Sequence, residues 1–246
     1  MEILTLRGFF LDYLNFDIEK SIKPADWLTF PEQRLRTITA GAVYYDGIGL
    51  QAVRNRFKYY PHDVWLYVLA SAWHRIGEEE HLMGRAGIAG DEIGSAIIGA
   101  RLVRDVMRLC FLMEKQYAPY AKWFGRAFRT LKCAKALSPV LREALSAETW
   151  QEREKHLVAA YEHIADMHNR LGIAELRSAK ARSFFGRPFQ VIDGGGFAEA
   201  IRAQITDPLV RRIAAKKLIG NIDLLSDNTD LVSEPEWRKT LRRLYE

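Results

Sequence analysis

Apolar residues recur at three- and four-residue spacing along almost the whole chain, the period of helices that bury one face. The front is the exception, where Met1 to Leu6 reads as a short β-like start. Pro31 suits the first turn of a helix reaching about Ala40, and Gly41 closes it. Tyr44 to Gly49 reads as a turn, followed by a short helix ending in Phe57-Lys-Tyr-Tyr60. Asp63 is a good N-cap for a helix over Val64 to Ile76, with Trp65, Leu66, Leu69, Trp73 and Ile76 on its apolar face. Gly84-Arg85-Ala-Gly87-Ile-Ala-Gly90 reads as a mobile connection. Asp91 then opens the longest helix, running to about Tyr117. A second helix follows Pro119, and Ser138-Pro139 caps the start of a third. The capping-box sequence Thr149-Trp-Gln-Glu152 launches a helix to about Leu171, with Gly172 as its stop. The character changes from Ala179 to Gly196, where Gly186, Pro188 and Gly194-Gly-Gly196 surround the apolar run Phe189 to Ile192. That stretch predicts a loop with a short strand, acting as a hinge or clasp. Helices resume at Phe197 and Pro208, and a terminal one begins at Glu234.

The predicted fold is mainly α: a multi-helix bundle with a short N-terminal β-like segment and a small Gly/Pro-rich extended element near 183–196. It forms one helical domain over 1–246, comprising a linker or strand remnant (1–20), a main bundle (27–178) and a C-terminal helical extension (179–246). A hydrophobic content of 48% and a charged content of 27% suit a soluble globular protein. No apolar run approaches the length of a membrane span, and the first residues lack the regions of a signal peptide. Cys110 and Cys133 are too few for a disulfide framework and read as buried free thiols of a cytoplasmic protein. The net charge of +5 (36 basic against 31 acidic side chains) fits a nucleotide or another small anionic substrate. With no basic tail and no RNA-binding signature, nucleic acid is disfavoured.

Candidate chemistry gathers around the longest helix. Tyr117-Ala-Pro-Tyr120-Ala-Lys122-Trp123 places two phenols, a cation and an indole on one helix-break-helix corner. Arg101, Arg104 and Arg108 fall at i, i+3 and i+7 and share a face. Such a stripe is either an anion cradle, since guanidinium forks match phosphate and carboxylate, or a solvated, internally paired face. Asp91 and Glu92 suit the positive end of the helix, and they are the weak candidates for a catalytic base. Arg85, in the glycine-bearing connection, could help backbone amides hold an anion, although the string matches neither a P-loop nor a dinucleotide fingerprint. No metal-ligating spacing and no nucleophile elbow occur. Arg56 and His62 superficially match the loose Arg-x4-6-His pattern of helical ribonuclease-type toxins, but Pro61 interrupts the helix that pattern needs.

Several strings together resemble the bacterial domain-of-unknown-function 4037 family. They are Trp27-Leu-Thr-Phe-Pro-Glu-Gln33, Thr39-Ala-Gly41 with Asp46-Gly47, Tyr59-Tyr-Pro-His-Asp-Val-Trp65, Gly90-Asp-Glu-Ile-Gly-Ser95, Arg104-Asp-Val-Met-Arg-Leu-Cys110, Tyr117 to Trp123, Met167-His-Asn169 and Phe185-Gly-Arg-Pro-Phe189. The resemblance implies the helical C-terminal region of proteins that usually begin with a nucleotidyltransferase fold. There a Gly-Ser and an Asp-x-Asp hold the magnesium of a nucleoside triphosphate. This chain shows no such element, and Asp223, Asp227 and Asp230 are wrongly spaced for it. Met1 to Leu6 looks like the last strand of that upstream fold, with Glu2 a remnant of its third carboxylate. The expectation is a substrate- and nucleotide-binding helical domain, acceptor unidentified and not catalytic for nucleotidyl transfer by itself. In it, Arg101, Arg104, Arg108 and Lys122 hold phosphates or an acidic acceptor, and Tyr117, Tyr120 and Trp123 stack on or hydrogen-bond the acceptor. The alternative is a module that forms homodimers or docks a partner nucleotidyltransferase through the exposed N-terminal strand. An RNA-directed helical nuclease is the third reading.

Overall fold

In the computed structural model, which describes residues 4–246, helices dominate and one two-stranded ribbon is the only sheet among the described residues. The N-terminal helices are α1 (Leu6–Leu14), α2 (Pro24–Thr29), α3 (Glu32–Thr39) and α4 (Leu50–Arg56). Two long antiparallel helices follow, α5 (His62–Ile88) and α6 (Glu92–Met113). After a 3-10 turn at Ala121–Trp123 come α7 (Phe124–Phe128), α8 (Ala134–Ser146) and α9 (Trp150–Arg170). The ribbon pairs β1 (Arg182–Ser183) antiparallel with β2 (Gln190–Val191). The remainder is α10 (Gly194–Arg202), α11 (Pro208–Ala214), α12 (Ile222–Leu225), α13 (Thr229–Ser233), a 3-10 turn at Pro235–Trp237 and α14 (Arg238–Arg242).

The axis of the molecule is α5, packed along α6 on one side and α10 on another, while α9 lies against α6 and α8. Its first half is buried almost all round, from Val64 through Trp73. That is the signature of a central helix rather than a surface one. No helix is long and apolar enough to cross a membrane, and both cysteines are free and buried.

Several sequence expectations change. Residues 1–3, and with them Glu2, lie outside the described residues, and the β-like start does not extend through Leu6. Thr5 is extended, but its side chain accepts from the Gly8 amide (3.0 Å) and caps α1 at Leu6. Residues 4–20 are therefore largely helix and turn. Second, α5 does not stop at Ile76 and the Gly84–Gly90 string is not a mobile connection, because α5 continues to Ile88; at 27 residues against 22 for α6, it and not the helix after Asp91 is the longest among the described residues. Its glycines admit neighbours: a Cβ at Gly87 would collide with the Trp150 ring, and one at Gly84 would lie 2.8 Å from Phe189 Cβ. Only Gly90, at φ +81°, makes the turn into α6. Third, Pro139 sits inside α8 rather than at its start. The extended element is present as the ribbon, but α10 begins at Gly194, because Asp193 caps it and Gly194 packs on the α5 backbone at Gly77.

Candidate functional site

A cleft of about 410 Å³ opens between the C-terminal half of α6 and the segment carrying α12 and α13. Arg104 and Arg108, one helical turn apart on α6, enter it from one wall, with Phe124 and Tyr120 beside them. The opposite wall carries Asp223, Ser226, Asp227, Thr229 and Ser233, and Gln33 reaches in from α3. A second recess of about 350 Å³ shares Gln33, Pro119, Tyr120 and Ser233, and adds Tyr13 and Trp123. α6 ends at Met113, short of the expected Tyr117, and Lys115 at φ +52° turns the chain there; the segment beyond that turn presents Tyr120 to both recesses.

The two arginines differ in their partners. Arg104 Nη1 pairs with Asp227 Oδ2 at 3.0 Å, and that carboxylate is 77% exposed. Burial, and then Arg108, lower the proton affinity of Arg104, with Asp227 opposing. Arg108 lies over the Phe124 ring at 5.5 Å and is without an ion-pair or hydrogen-bond partner among the described residues. Its Nε is a buried donor left unsatisfied. A guanidinium left that way can receive an anion.

Beneath the arginines lies a buried polar cluster. Glu32, 3% exposed, accepts from the Ala118 amide (2.7 Å) and from Asn221 Nδ2 (2.8 Å). Asn221 Nδ2 also donates to the Tyr60 hydroxyl at 2.9 Å. Asp223 Oδ2 accepts from the Glu32 amide (2.9 Å), so it caps α3 from a helix nearly two hundred residues away in sequence. Arg75 on α5 holds the Leu224 carbonyl at 3.0 Å and Asp105 at 2.8 Å, which fixes α12 against α5. Burial, and then the neighbouring Asp223 carboxylate, push Glu32 up to about 7 while Arg108 pulls the other way. Asp223 is also raised by burial, against the pull of Arg108.

The site thus brings together Arg104, Arg108, Tyr120 and, in the adjoining recess, Trp123 from the set read in the sequence. The other members lie elsewhere. Arg101 faces away and pairs with Glu79 of α5. Tyr117 is buried, donates its hydroxyl to the Phe57 carbonyl (3.1 Å), and packs on Tyr59 and Tyr60. Lys122 is exposed, with its ammonium 5.2 Å from the Trp123 ring centroid. Arg85 is exposed near the far end of α5. Asp91 caps α6, accepting from the Gly94 amide at 2.7 Å. Glu92 accepts from the Trp150 amide (3.1 Å) and Arg153 (3.4 Å). Arg56 donates to the carbonyls of Ile18 and Lys20, and His62 packs near Trp65. Sequence reading missed Glu32, Asp223, Asp227 and Phe124 as site residues. Glu32 and Asp223 have no local signal, because only the tertiary fold joins them.

Among the described residues no group of three or more His, Cys, Asp or Glu side chains forms a metal site. The carboxylates here do not fit the magnesium that the family resemblance implies: Asp227 is paired with Arg104, and Asp223 stands beside Arg108, whose positive charge opposes a second cation.

Residues 27–124 match the family model described as domain of unknown function (DUF4037). Over that stretch the chain is similar to this family. The stretch includes the arginine wall, Gln33, Tyr120 and Phe124, and it ends before the Asp223–Ser233 wall. The Met167-His-Asn169 and Phe185-Gly-Arg-Pro-Phe189 strings also lie beyond it. No curated protein and no solved structure matches the chain.

Proposed function

We propose that this chain is the substrate- and nucleotide-binding helical part of a nucleotidyltransferase-like protein, with the ligand held in the α6–α12–α13 cleft. The observation that carries this reading is Arg108, a guanidinium with an unsatisfied buried Nε, standing beside Arg104 at the mouth of a ligand-sized cleft. Phosphates meet the two arginines, and the flat ring of a base lies against Phe124 and Tyr120 or in the Trp123 recess. The metal-holding carboxylates of a transfer reaction belong to another domain or chain in this reading, so the cleft binds and orients.

Calorimetric titration with each nucleoside triphosphate, with and without magnesium, tests it. Saturable binding of at least one is expected. Arg108→Ala should weaken it at least about tenfold, the scale of a lost charge-assisted contact. Arg101→Ala, outside the cleft, should leave affinity unchanged. Absence of binding to all four nucleotides, or equal losses in both variants, would sink the reading.

A further inference from the structure

Asp223 has no place in a cleft that recognises negative charge alone. It is a carboxylate only 9% exposed, it lines the same cavity as both arginines, and it stands on the ligand side of α12. Among the described residues it accepts one hydrogen bond from another residue, the Glu32 amide on Oδ2. An ionised carboxyl can accept about four, so a bound molecule can still donate to it. Arg104 and Arg108 exclude a cationic ligand from the same space, which leaves hydroxyl groups as the donors that fit. Ser226, Thr229 and Ser233 add hydroxyls to the same wall, beside Asp227 and Val232.

We infer that the cleft takes a phosphorylated polyol, either a sugar phosphate or the ribose phosphate of a nucleotide, with the phosphate on Arg108 and Arg104 and a ribose or sugar hydroxyl donated to Asp223. Asp223 is then the residue that distinguishes a phosphorylated sugar from a bare polyphosphate. This rests on the binding role given to the cleft above, and it names the part of the ligand that the anion contact leaves undefined. Phe124 and Tyr120 flank the phosphate position, so a base attached to the sugar finds an aromatic surface within the same pair of recesses.

Titration calorimetry on the full chain decides it, with inorganic phosphate, tripolyphosphate, ribose 5-phosphate, 2-deoxyribose 5-phosphate and ATP as probes. Ribose 5-phosphate should bind at least about tenfold more tightly than inorganic phosphate, since a hydrogen bond to a charged acceptor is at stake. The 2-deoxy sugar should give up part of that gain if the 2-hydroxyl is the donor. Asp223→Asn keeps an oxygen for the Glu32 amide but offers the cleft an amide donor. It should cut the ratio of ribose 5-phosphate to phosphate affinity at least about fivefold, because a neutral amide replaces the charged acceptor. ATP binding more tightly than ribose 5-phosphate identifies the nucleotide as the source, and equal affinities identify a sugar phosphate. Equal binding of phosphate and ribose 5-phosphate, or a preference that survives undiminished in Asp223→Asn, overturns the inference. Should that variant fail to fold, the wild-type probe series still decides. Tripolyphosphate binding without a sugar preference defeats this inference alone, whereas failure of tripolyphosphate to bind removes the anion cleft and this inference with it.

Discussion

Asp227 occupies Arg104 in the way a ligand oxygen would, from an exposed loop and through a single 3.0 Å contact. Exposed pairs of this kind contribute roughly 0.2–1 kcal/mol, so the phosphate proposed for this cleft would displace the carboxylate at little cost. Asp227→Asn should therefore tighten tripolyphosphate binding about two- to fivefold. Calorimetry showing weaker binding would make Asp227 a ligand contact instead of a placeholder. The carboxylates below behave differently, because they are enclosed. The folded-state pKa of Glu32 lies near 7, above its ordinary value of 4.5, so its neutral form is favoured in the fold. That contribution is complete below about 4.5 and is lost as pH rises through about 7. Asp223 is displaced in the same direction. Asp223→Asn removes one of two adjacent buried charges, so its melting temperature should exceed that of the wild type at pH 8. The gain should shrink toward pH 5, where the wild type takes up its proton. A constant difference across that range would show that the pair does not titrate as described. His168 carries the opposite sign. Burial lowers it to about 4, and its Nδ1 accepts from Trp73 Nε1 at 3.3 Å, a bond that needs the neutral ring. Its contribution is complete above about 6.5 and falls away toward 4, so its ring resonances in an NMR titration should stay in the neutral form through pH 5. A midpoint near 6.5 would contradict that.

At the scale of elements, the legible features were those written locally. Asp91, Thr149 and Gly172 mark helix ends by cap chemistry, and the structure uses them so. Two things were hidden. The glycines of α5 look like punctuation in the sequence, yet Gly77, Gly84 and Gly87 are points of contact with Gly194–Gly195, Phe189 and Trp150. Periodicity cannot tell a glycine that breaks a helix from one that lets a neighbour approach. The second hidden feature is a recurring device in which helix carboxylates hold the amides of distant segments. Glu80 takes Ile192 and Gly194, Glu114 takes Lys132 and Cys133, Asp63 takes Thr206 and Asp207, and Glu32 takes Ala118. The three glutamates read as ordinary helix-surface charges until their partners are known, and Asp63, which reads as an N-cap, instead lies inside α5, whose cap position is Pro61. The glycine argument has a clean test. Gly77→Ala places a methyl against the Gly194–Gly195 backbone, which cannot move aside, and should cost on the order of 2–3 kcal/mol. Gly125→Ala in α7 meets nothing within 4 Å and should stabilise by up to about 1 kcal/mol. Urea denaturation that ranks the two the other way would refute the close-packing account.

At the scale of the whole molecule, the cleft exists because the two ends of the chain are tied together. Its walls come from α3, α6 with the Pro119 corner, and the α12–α13 segment, which no local pattern links. What holds the last wall in place lies beyond it in sequence. Arg238 and Arg242 of the α14 region reach Asp26 on α2 at 2.5 and 2.9 Å, with Asp26 and Arg238 both buried. Arg238 also lies over the rings of Phe16 and Phe30 and donates to the Asn15 carbonyl at 3.2 Å. Arg34 spans the same seam, donating to the carbonyls of Tyr13 and Ser233, the latter a cleft residue. Tyr245 closes the tail by donating to the Gly220 carbonyl at 2.8 Å, just ahead of α12. A break in this latch should therefore reach the cleft without touching it. Arg238→Met leaves Asp26 with Arg242 alone and should cost about 2–3 kcal/mol, less than a buried charge that loses every partner. Pairing it with Asp26→Asn removes that charge and should recover most of the loss, because an uncharged buried contact avoids the desolvation of an unpaired ion. Measured by urea denaturation and by tripolyphosphate titration together, the single variant should lose stability and affinity in parallel, and the double variant should regain both. A single variant that is destabilised yet binds tripolyphosphate as the wild type does would mean that the Asp223–Ser233 wall is held by α5 and α3 without the latch.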